Sequence, residues 1–138
     1  MTPHATCVAV DGAGVLILGP SGSGKSALAL SLMAMGATLV ADDRTTLSAS
    51  EGTLWAEPPA TIAGLIEARG VGLLRVLHLP RAPLHLAVDL SQTETDRLPP
   101  QRSVKFMDIT LPCLHKVDAP HFAAAIHAYL RGSRAEEP

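Results

Sequence analysis

Apolar and polar positions divide the chain into short strands, two helices and several marked turns. Residues 6–10 and 15–18 are β-branched or apolar runs on either side of Asp11-Gly12-Ala13-Gly14, a composition that closes a hairpin. The second run feeds straight into a glycine-rich segment. Residues 25–35 then turn to Ala, Leu and Met on nearly all sides, which predicts a buried helix ending at Gly36, where a left-handed cap suits glycine. Residues 38–41 read as an inner strand running into Asp42-Asp43, and residues 44–48 with 53–56 as a second hairpin around 49–52. Pro58-Pro59 breaks the pattern, and Thr61 stands where it would cap a short helix through residue 66. Gly70 and Gly72 make residues 67–72 a loop with unusual backbone angles. Residues 84–90 alternate as a strand, whereas 91–101 are polar, contain Pro99-Pro100 and read as an exposed loop. Residues 103–111 hold one or two further short strands. Phe122, Ile126, Tyr129 and Leu130 recur at helical spacing behind Asp118, a candidate N-cap, so an amphipathic helix closes the fold, and residues 136–138 are expected to fray. Strand, loop, helix, strand followed by more strands is an α/β pattern.

The length of 138 residues suits a single domain over 1–138, large enough to bury roughly two-thirds of the unfolded chain's surface. Hydrophobic residues make up 47% of the chain but aromatics only 3%, so Ala, Val, Leu and Ile must build the core. A formal net charge of −2 and so few rings to stack on bases argue against a nucleic-acid partner. Cys7 and Cys113 fit neither a metal-ligand spacing nor a disulfide framework and read as reduced core thiols. No apolar run approaches the ~18 residues that span a bilayer, and Met1-Thr2-Pro3-His4 does not begin a secretion signal. No membrane partner is expected, and the cytoplasm is the expected location.

The chemistry concentrates in Gly19-Pro20-Ser21-Gly22-Ser23-Gly24-Lys25-Ser26, a full match to G-x-x-x-x-G-K-S/T with an apolar strand before it and a helix after it. Its glycines let backbone amides turn inward as an anion nest, and the helix N-terminus adds partial positive charge. The ligand so implied is a nucleoside triphosphate, ATP with Mg²⁺: Lys25 would contact the β- and γ-phosphates and the Ser26 hydroxyl the metal. Asp42-Asp43, at the end of the next strand, stand where a carboxylate completes charge neutralisation around the metal. Neighbours on a strand point to opposite faces, so the two should have separate roles. Which one faces the nucleotide is left open, and capping the turn into Arg44 is the plainer alternative.

These residues, in order, resemble the catalytic domain of HPr kinase/phosphorylase. The resemblance is carried by Gly19 to Ser26, by Leu39-Val40-Ala41-Asp42-Asp43-Arg44, by Ile66-Glu67-Ala68-Arg69-Gly70-Val71-Gly72, by Asp96-Arg97-Leu98, and by His4 ahead of the first hairpin. It implies a P-loop-containing, phosphoenolpyruvate-carboxykinase-like α/β core with a mixed sheet and few helices. It also implies a serine protein kinase, unrelated to the eukaryotic type, acting on HPr, the small carrier protein of the sugar phosphotransferase system. Carried over, Asp43 is the proton acceptor that activates the serine, and Lys25 holds the transferring phosphoryl group. Ser26 and Glu67 bind Mg²⁺, Asp42 supports the metal or its waters, and His4 and Arg97 complete the site.

The resemblance stops short in two places. Relatives usually carry an N-terminal domain ahead of this core, where this chain begins. Leu111-Pro112-Cys113-Leu114-His115-Lys116-Val117-Asp118 lacks the Gly and Arg of the family's Pro-x-x-x-Gly-Arg-Asn loop, which is linked to dephosphorylation and to docking of the carrier. The resemblance therefore carries the kinase direction, while the dephosphorylation activity and a homo-oligomer are left open. Plainer readings stand beside the site: Glu67 and Arg69 as a surface ion pair, Arg97 as a solvated loop residue, His4 as an unanchored terminal one. His78, His85, His115, His121 and His127 receive no role. Two other functions compete, a small-molecule kinase on the same core and an ATP- or phosphate-sensing regulator with vestigial catalysis.

Overall fold

The computed structural model describes residues 1–135, so the expected fraying of 136–138 lies outside the described residues. The first apolar runs form β1 (Ala5–Val10) and β2 (Ala13–Leu18), an antiparallel hairpin closed at Asp11-Gly12, both in the left-handed region with φ of 49° and 82°. After α1 (Lys25–Ala34) the chain returns as β3 (Thr38–Ala41), which pairs antiparallel with β1. A second hairpin, β4 (Thr46–Ser50) and β5 (Thr53–Glu57), turns at Glu51-Gly52. A 3₁₀ turn (Ala60–Ile62) leads to a separate two-stranded sheet of β6 (Leu65–Ala68) and β7 (Gly72–Arg75). The long β8 (Ala82–Thr93), then β9 (Ser103–Phe106), β10 (Ile109–Lys116) and α2 (Phe122–Arg131) complete the order.

The result is a mixed α/β fold: one large mixed sheet, a small second sheet and two α-helices among the described residues. The main path of the large sheet runs β3-β1-β2-β8-β10-β9. Because β2 and β10 both run parallel to β8 while β1 opposes β2 and β3, strands β3, β2, β8 and β10 share one direction. Their carboxyl ends open on one edge, the usual place for a ligand in such sheets.

Both faces of the central strands are covered, which is why these strands read as continuous apolar runs. Val8, Val15, Ile17, Leu86 and Val88 pack under Ala29 and Leu32 of α1 and Phe122 and Ile126 of α2. On the opposite face Cys7, Leu16, Val40 and Ala87 meet Leu47, Leu54 and Ala56 of the second hairpin. Cys7 and Cys113 are buried free thiols, as expected, and burial raises the pKa of both. No helix among the described residues is long and apolar enough to cross a membrane.

Several sequence expectations change. The first helix stops at Gly36 as predicted, but of its apolar side chains only Ala29 and Leu32 are fully buried. Helix α1 lies on one face of the sheet with α2 and β6 beside it, and Ala27 and Ala34 on its outer side stay exposed. The short helix from Thr61 is only the 3₁₀ turn, because Gly64, at φ 77°, redirects the chain into β6. Residues 67–72 are not a loop but the tip of a hairpin, with Val71 N–H donating to the Ala68 carbonyl at 2.9 Å. Strand β8 runs to Thr93, into the segment expected to be loop, and β10 continues through Pro112 to Lys116, paired on both sides. Asp118 does not cap α2; His121 occupies the N-cap position, without a side-chain bond.

Candidate functional site

The glycine-rich loop leaves β2 at Gly19, at φ 153°, where a Cβ would come within 2.5 Å of Ser23 Oγ and 3.2 Å of Leu90 Cβ. Only glycine fits there. The loop closes through Ser23 N–H donating to the Pro20 carbonyl at 3.1 Å, and α1 begins after Gly24, at φ 100°. That N-cap supplies no side-chain acceptor and the first turn has no acidic residue, so its amide groups point into the loop uncompensated. Lys25 is buried, and its Nζ donates to the carbonyls of Gly19 at 2.8 Å and Pro20 at 3.2 Å. Ser23 Oγ is buried without a hydrogen-bond partner, an orphaned polar atom inside the glycine-rich loop.

Asp42 is buried at the end of β3 and gathers four elements. Its Oδ1 accepts from Ser26 Oγ at 2.6 Å and from Thr6 Oγ1 at 3.0 Å, and its Oδ2 accepts from Glu67 N–H at 3.0 Å. Asp43 follows in the left-handed region, at φ 66°, with its N–H donating to Thr6 Oγ1 at 3.2 Å. Strand alternation therefore ends at Ala41, and the expectation of opposite faces gives way to a different division. Asp42 lies under Ser26, whereas Asp43 is exposed and lines the cleft.

That cleft has a volume of about 480 Å³ and is lined by the loop, Leu30 of α1, Asp43, and Glu67 to Arg69 with Val71 of the β6–β7 hairpin. Its size falls in the range of small-molecule sites, roughly 300–1,000 Å³. Glu67 and Arg69 do not pair with each other among the described residues; both face the cleft instead. Among the described residues no three His, Cys, Asp or Glu side chains form a ready-made metal cage. The donors lining the cleft are the Ser26 hydroxyl and the carboxylates of Asp43 and Glu67, while Asp42, expected to support the metal, is buried behind Ser26 with both oxygens accepting hydrogen bonds. Hard oxygen ligands few in number suit Mg²⁺, which keeps waters and substrate phosphates in its shell.

His4 and Arg97 do not line the cleft. His4 is exposed just ahead of β1, whose first residue pairs with Leu18, so it sits on the same edge of the sheet. Arg97 is exposed on the segment after β8, at the carboxyl end of a strand in register with β2. The base of that segment is fixed by Glu94, whose carboxylate takes two bonds from Arg102, at 2.8 and 2.9 Å, and two from the N–H groups of Thr95 and Asp96. The Arg102 hydrogen bonds hold the Glu94 carboxyl at about 2, well below its ordinary range.

Two features escaped the sequence reading. The Glu94–Arg102 pair had no local signal. Thr6 had one, a hydroxyl inside an otherwise apolar strand, since a buried polar group requires a partner.

A mixed α/β sheet with a glycine-rich loop at a helix N-terminus and a carboxylate pair at the carboxyl ends of its strands is an arrangement suited to a phosphate-bearing ligand. The family model of the HPr Serine kinase C-terminal domain matches residues 1–115, and the chain belongs to that kinase family. HPr kinase/phosphorylase of Streptococcus thermophilus is 51% identical over 77 residues, covering 55% of this chain and 25% of that protein. The protein of the same name from Caldicellulosiruptor bescii is 51% identical over 80 residues, covering 57% and 26%. That from Streptococcus mutans is 40% identical over 103 residues, covering 69% and 33%. The match thus spans a quarter to a third of these relatives' length. The solved structure of the HPr(Ser) kinase/phosphatase from Coxiella burnetii superposes with a TM-score of 0.80 at 25% identity, covering 95% of this chain and 94% of that one.

Proposed function

We propose that the protein is an ATP-dependent serine kinase acting on an HPr-like carrier protein, with residues 1–138 as a single catalytic domain on a phosphoenolpyruvate-carboxykinase-like core. The observation that carries this reading is the 2.6 Å contact between Ser26 Oγ and Asp42 Oδ1, which joins the glycine-rich loop to the carboxylate pair in the cleft that Asp43 lines. Family membership and the names of the relatives support it.

Lys25 and the loop amides hold the triphosphate, and Lys25 follows the transferring phosphoryl group. Ser26 and Glu67 ligate Mg²⁺ and Asp42 orients Ser26; when bound, the metal neutralises charge on the phosphate oxygens. Asp43 accepts the proton as the acceptor serine oxygen forms its bond to the γ-phosphorus, while the bond from that phosphorus to the bridging oxygen breaks and ADP leaves. His4 and Arg97, on the same edge, close around the transferring group as the acceptor arrives. The reading includes no phosphorylase activity, because Leu111 to Asp118 lacks the Gly and Arg expected for it. It places the protein in the cytoplasm.

The test is an intact-mass time course with ATP and Mg²⁺ against HPr-like proteins and, separately, a panel of small hydroxylated metabolites. A single phosphate gained by the carrier protein supports the reading. Phosphate appearing only on a small molecule, or on nothing while ATP still binds, would overturn it.

A further inference from the structure

Strand β1 is buried at every position, and Thr6, fully excluded from solvent, is its one hydroxyl-bearing residue. The backbone ladder between β1 and β3 ends at Cys7 and Ala41, with a register shift beside it. Beyond that point the Thr6 side chain takes over the pairing. Its hydroxyl donates to Asp42 Oδ1 at 3.0 Å and accepts from Asp43 N–H at 3.2 Å. Both directions are fixed, because a carboxylate only accepts and an amide N–H only donates.

We propose that Thr6 is a positioning residue for phosphoryl transfer: one hydroxyl holds Asp43 in its left-handed backbone conformation and steadies the Asp42 carboxylate that bonds Ser26. The proposal rests on the reading of Asp43 as proton acceptor. A left-handed conformation is uncommon outside glycine, and unlike Asp11 and Asp108, which sit in two-residue hairpin turns, Asp43 has no hairpin pairing to hold it there. Here the turn is tied at both ends, by Thr6 at Asp43 and by Thr45, whose hydroxyl donates to the Ala5 carbonyl at 2.8 Å and whose N–H donates to that of Pro3 at 3.3 Å. Packing alone gives no reason for a hydroxyl at this point, since an isosteric valine would fill the same space, and a buried hydroxyl is unfavourable unless bonded. The bonds of Thr6 instead lead to the two residues that the chemistry uses.

Thr6→Val keeps the shape and removes the hydroxyl; Thr6→Ser keeps the hydroxyl and removes a methyl. Small misplacements of reacting groups cost up to ~10²-fold in rate, so Thr6→Val should lower kcat for serine phosphorylation ~10- to 100-fold. The dissociation constant for ATP should change by less than about 3-fold, because the loop and Lys25 are untouched, and Thr6→Ser should recover most of the rate. An unchanged kcat in Thr6→Val, or equal loss in the serine and valine variants, would overturn the proposal. Amide hydrogen exchange gives a readout independent of any acceptor: the valine variant should speed exchange at Asp43 while Val8 and Leu39 stay protected. Should wild-type protein transfer no phosphate, the kinase reading fails by itself, and an unaltered Asp43 amide in the variant would then refute the role of Thr6. Thr6→Ala serves the same comparisons if the valine variant does not fold.

Discussion

Ser26 Oγ stands 2.6 Å from Asp42 Oδ1, a short bond of the charge-assisted kind that ties the first turn of α1 to the end of β3. The same carboxylate holds Thr6 Oγ1 and Glu67 N–H, so four separate segments meet at one buried acceptor. Replacing Asp42 with Ala strands three donors at once. Leaving a buried donor unsatisfied costs ~1–3 kcal/mol, and partial relaxation should leave a net loss of about 3 kcal/mol in unfolding free energy. Urea denaturation of the variant, read as a lower midpoint at unchanged slope, checks this. A midpoint equal to wild type would contradict the anchoring role.

Lys25 occupies the centre of the loop, bonded to the Gly19 and Pro20 carbonyls. If Lys25 contacts the triphosphate as proposed, Lys25→Ala removes a charge-assisted bond, which on the scale of about 1.5–3 kcal/mol should weaken ATP binding ~10- to 100-fold. Equilibrium titration with a fluorescent ATP analogue measures it. Binding of ADP should fall less than binding of ATP, because the lysine is assigned to the β- and γ-phosphates.

The Glu94–Arg102 pair predicts a defined acid response. Its carboxyl is lowered in the folded protein from 4.5 to about 2, chiefly by hydrogen bonding from Arg102, so the unfolded chain binds its proton first as pH falls. The stabilisation is complete above 4.5 and is lost as pH drops towards 2. Thermal melts of wild type and Arg102→Gln should therefore differ near neutral pH and converge as the pH falls through this window. A difference that persists at the acid end would contradict the assignment.

Cys7 is fully buried and Cys113 nearly so, and burial raises both thiols. Since the thiolate is the reactive form, neither should react with a disulfide reagent in the native state near neutral pH, while both react at once in denaturant. Counting released thiolate by absorbance settles the point, and fast native labelling of Cys7 would count against the packing described for β1.

Legibility of the fold followed turn chemistry. The first two hairpins were visible because Gly12 and Gly52 mark their left-handed turn positions. The β9–β10 turn uses Met107 and Asp108 in the same region, at φ 51° and 65°, and carries no glycine to announce it. Gly70 and Gly72 had the opposite effect and made the β6–β7 hairpin read as a loop. Of the site, the loop and both aspartates were readable from motif spacing. Thr6 was not, because its partner lies 36 residues away, and the bond depends on a sheet register that periodicity does not reveal. Asp42 and Asp43 do take separate places, as expected, but not through strand alternation: the left-handed φ at Asp43 ends the strand geometry on which that expectation rested.

The most direct test of the central claim compares wild type with Asp43→Asn in single-turnover transfer from ATP to an HPr-like protein, with the phosphosite mapped. Asn tolerates the left-handed conformation, so the variant should fold and keep its ATP affinity. Loss of a general base should slow transfer to serine by ~10²- to 10⁴-fold. Serine phosphate formed at the wild-type rate by Asp43→Asn, or no serine phosphate formed by wild type while ATP binds, would contradict the account.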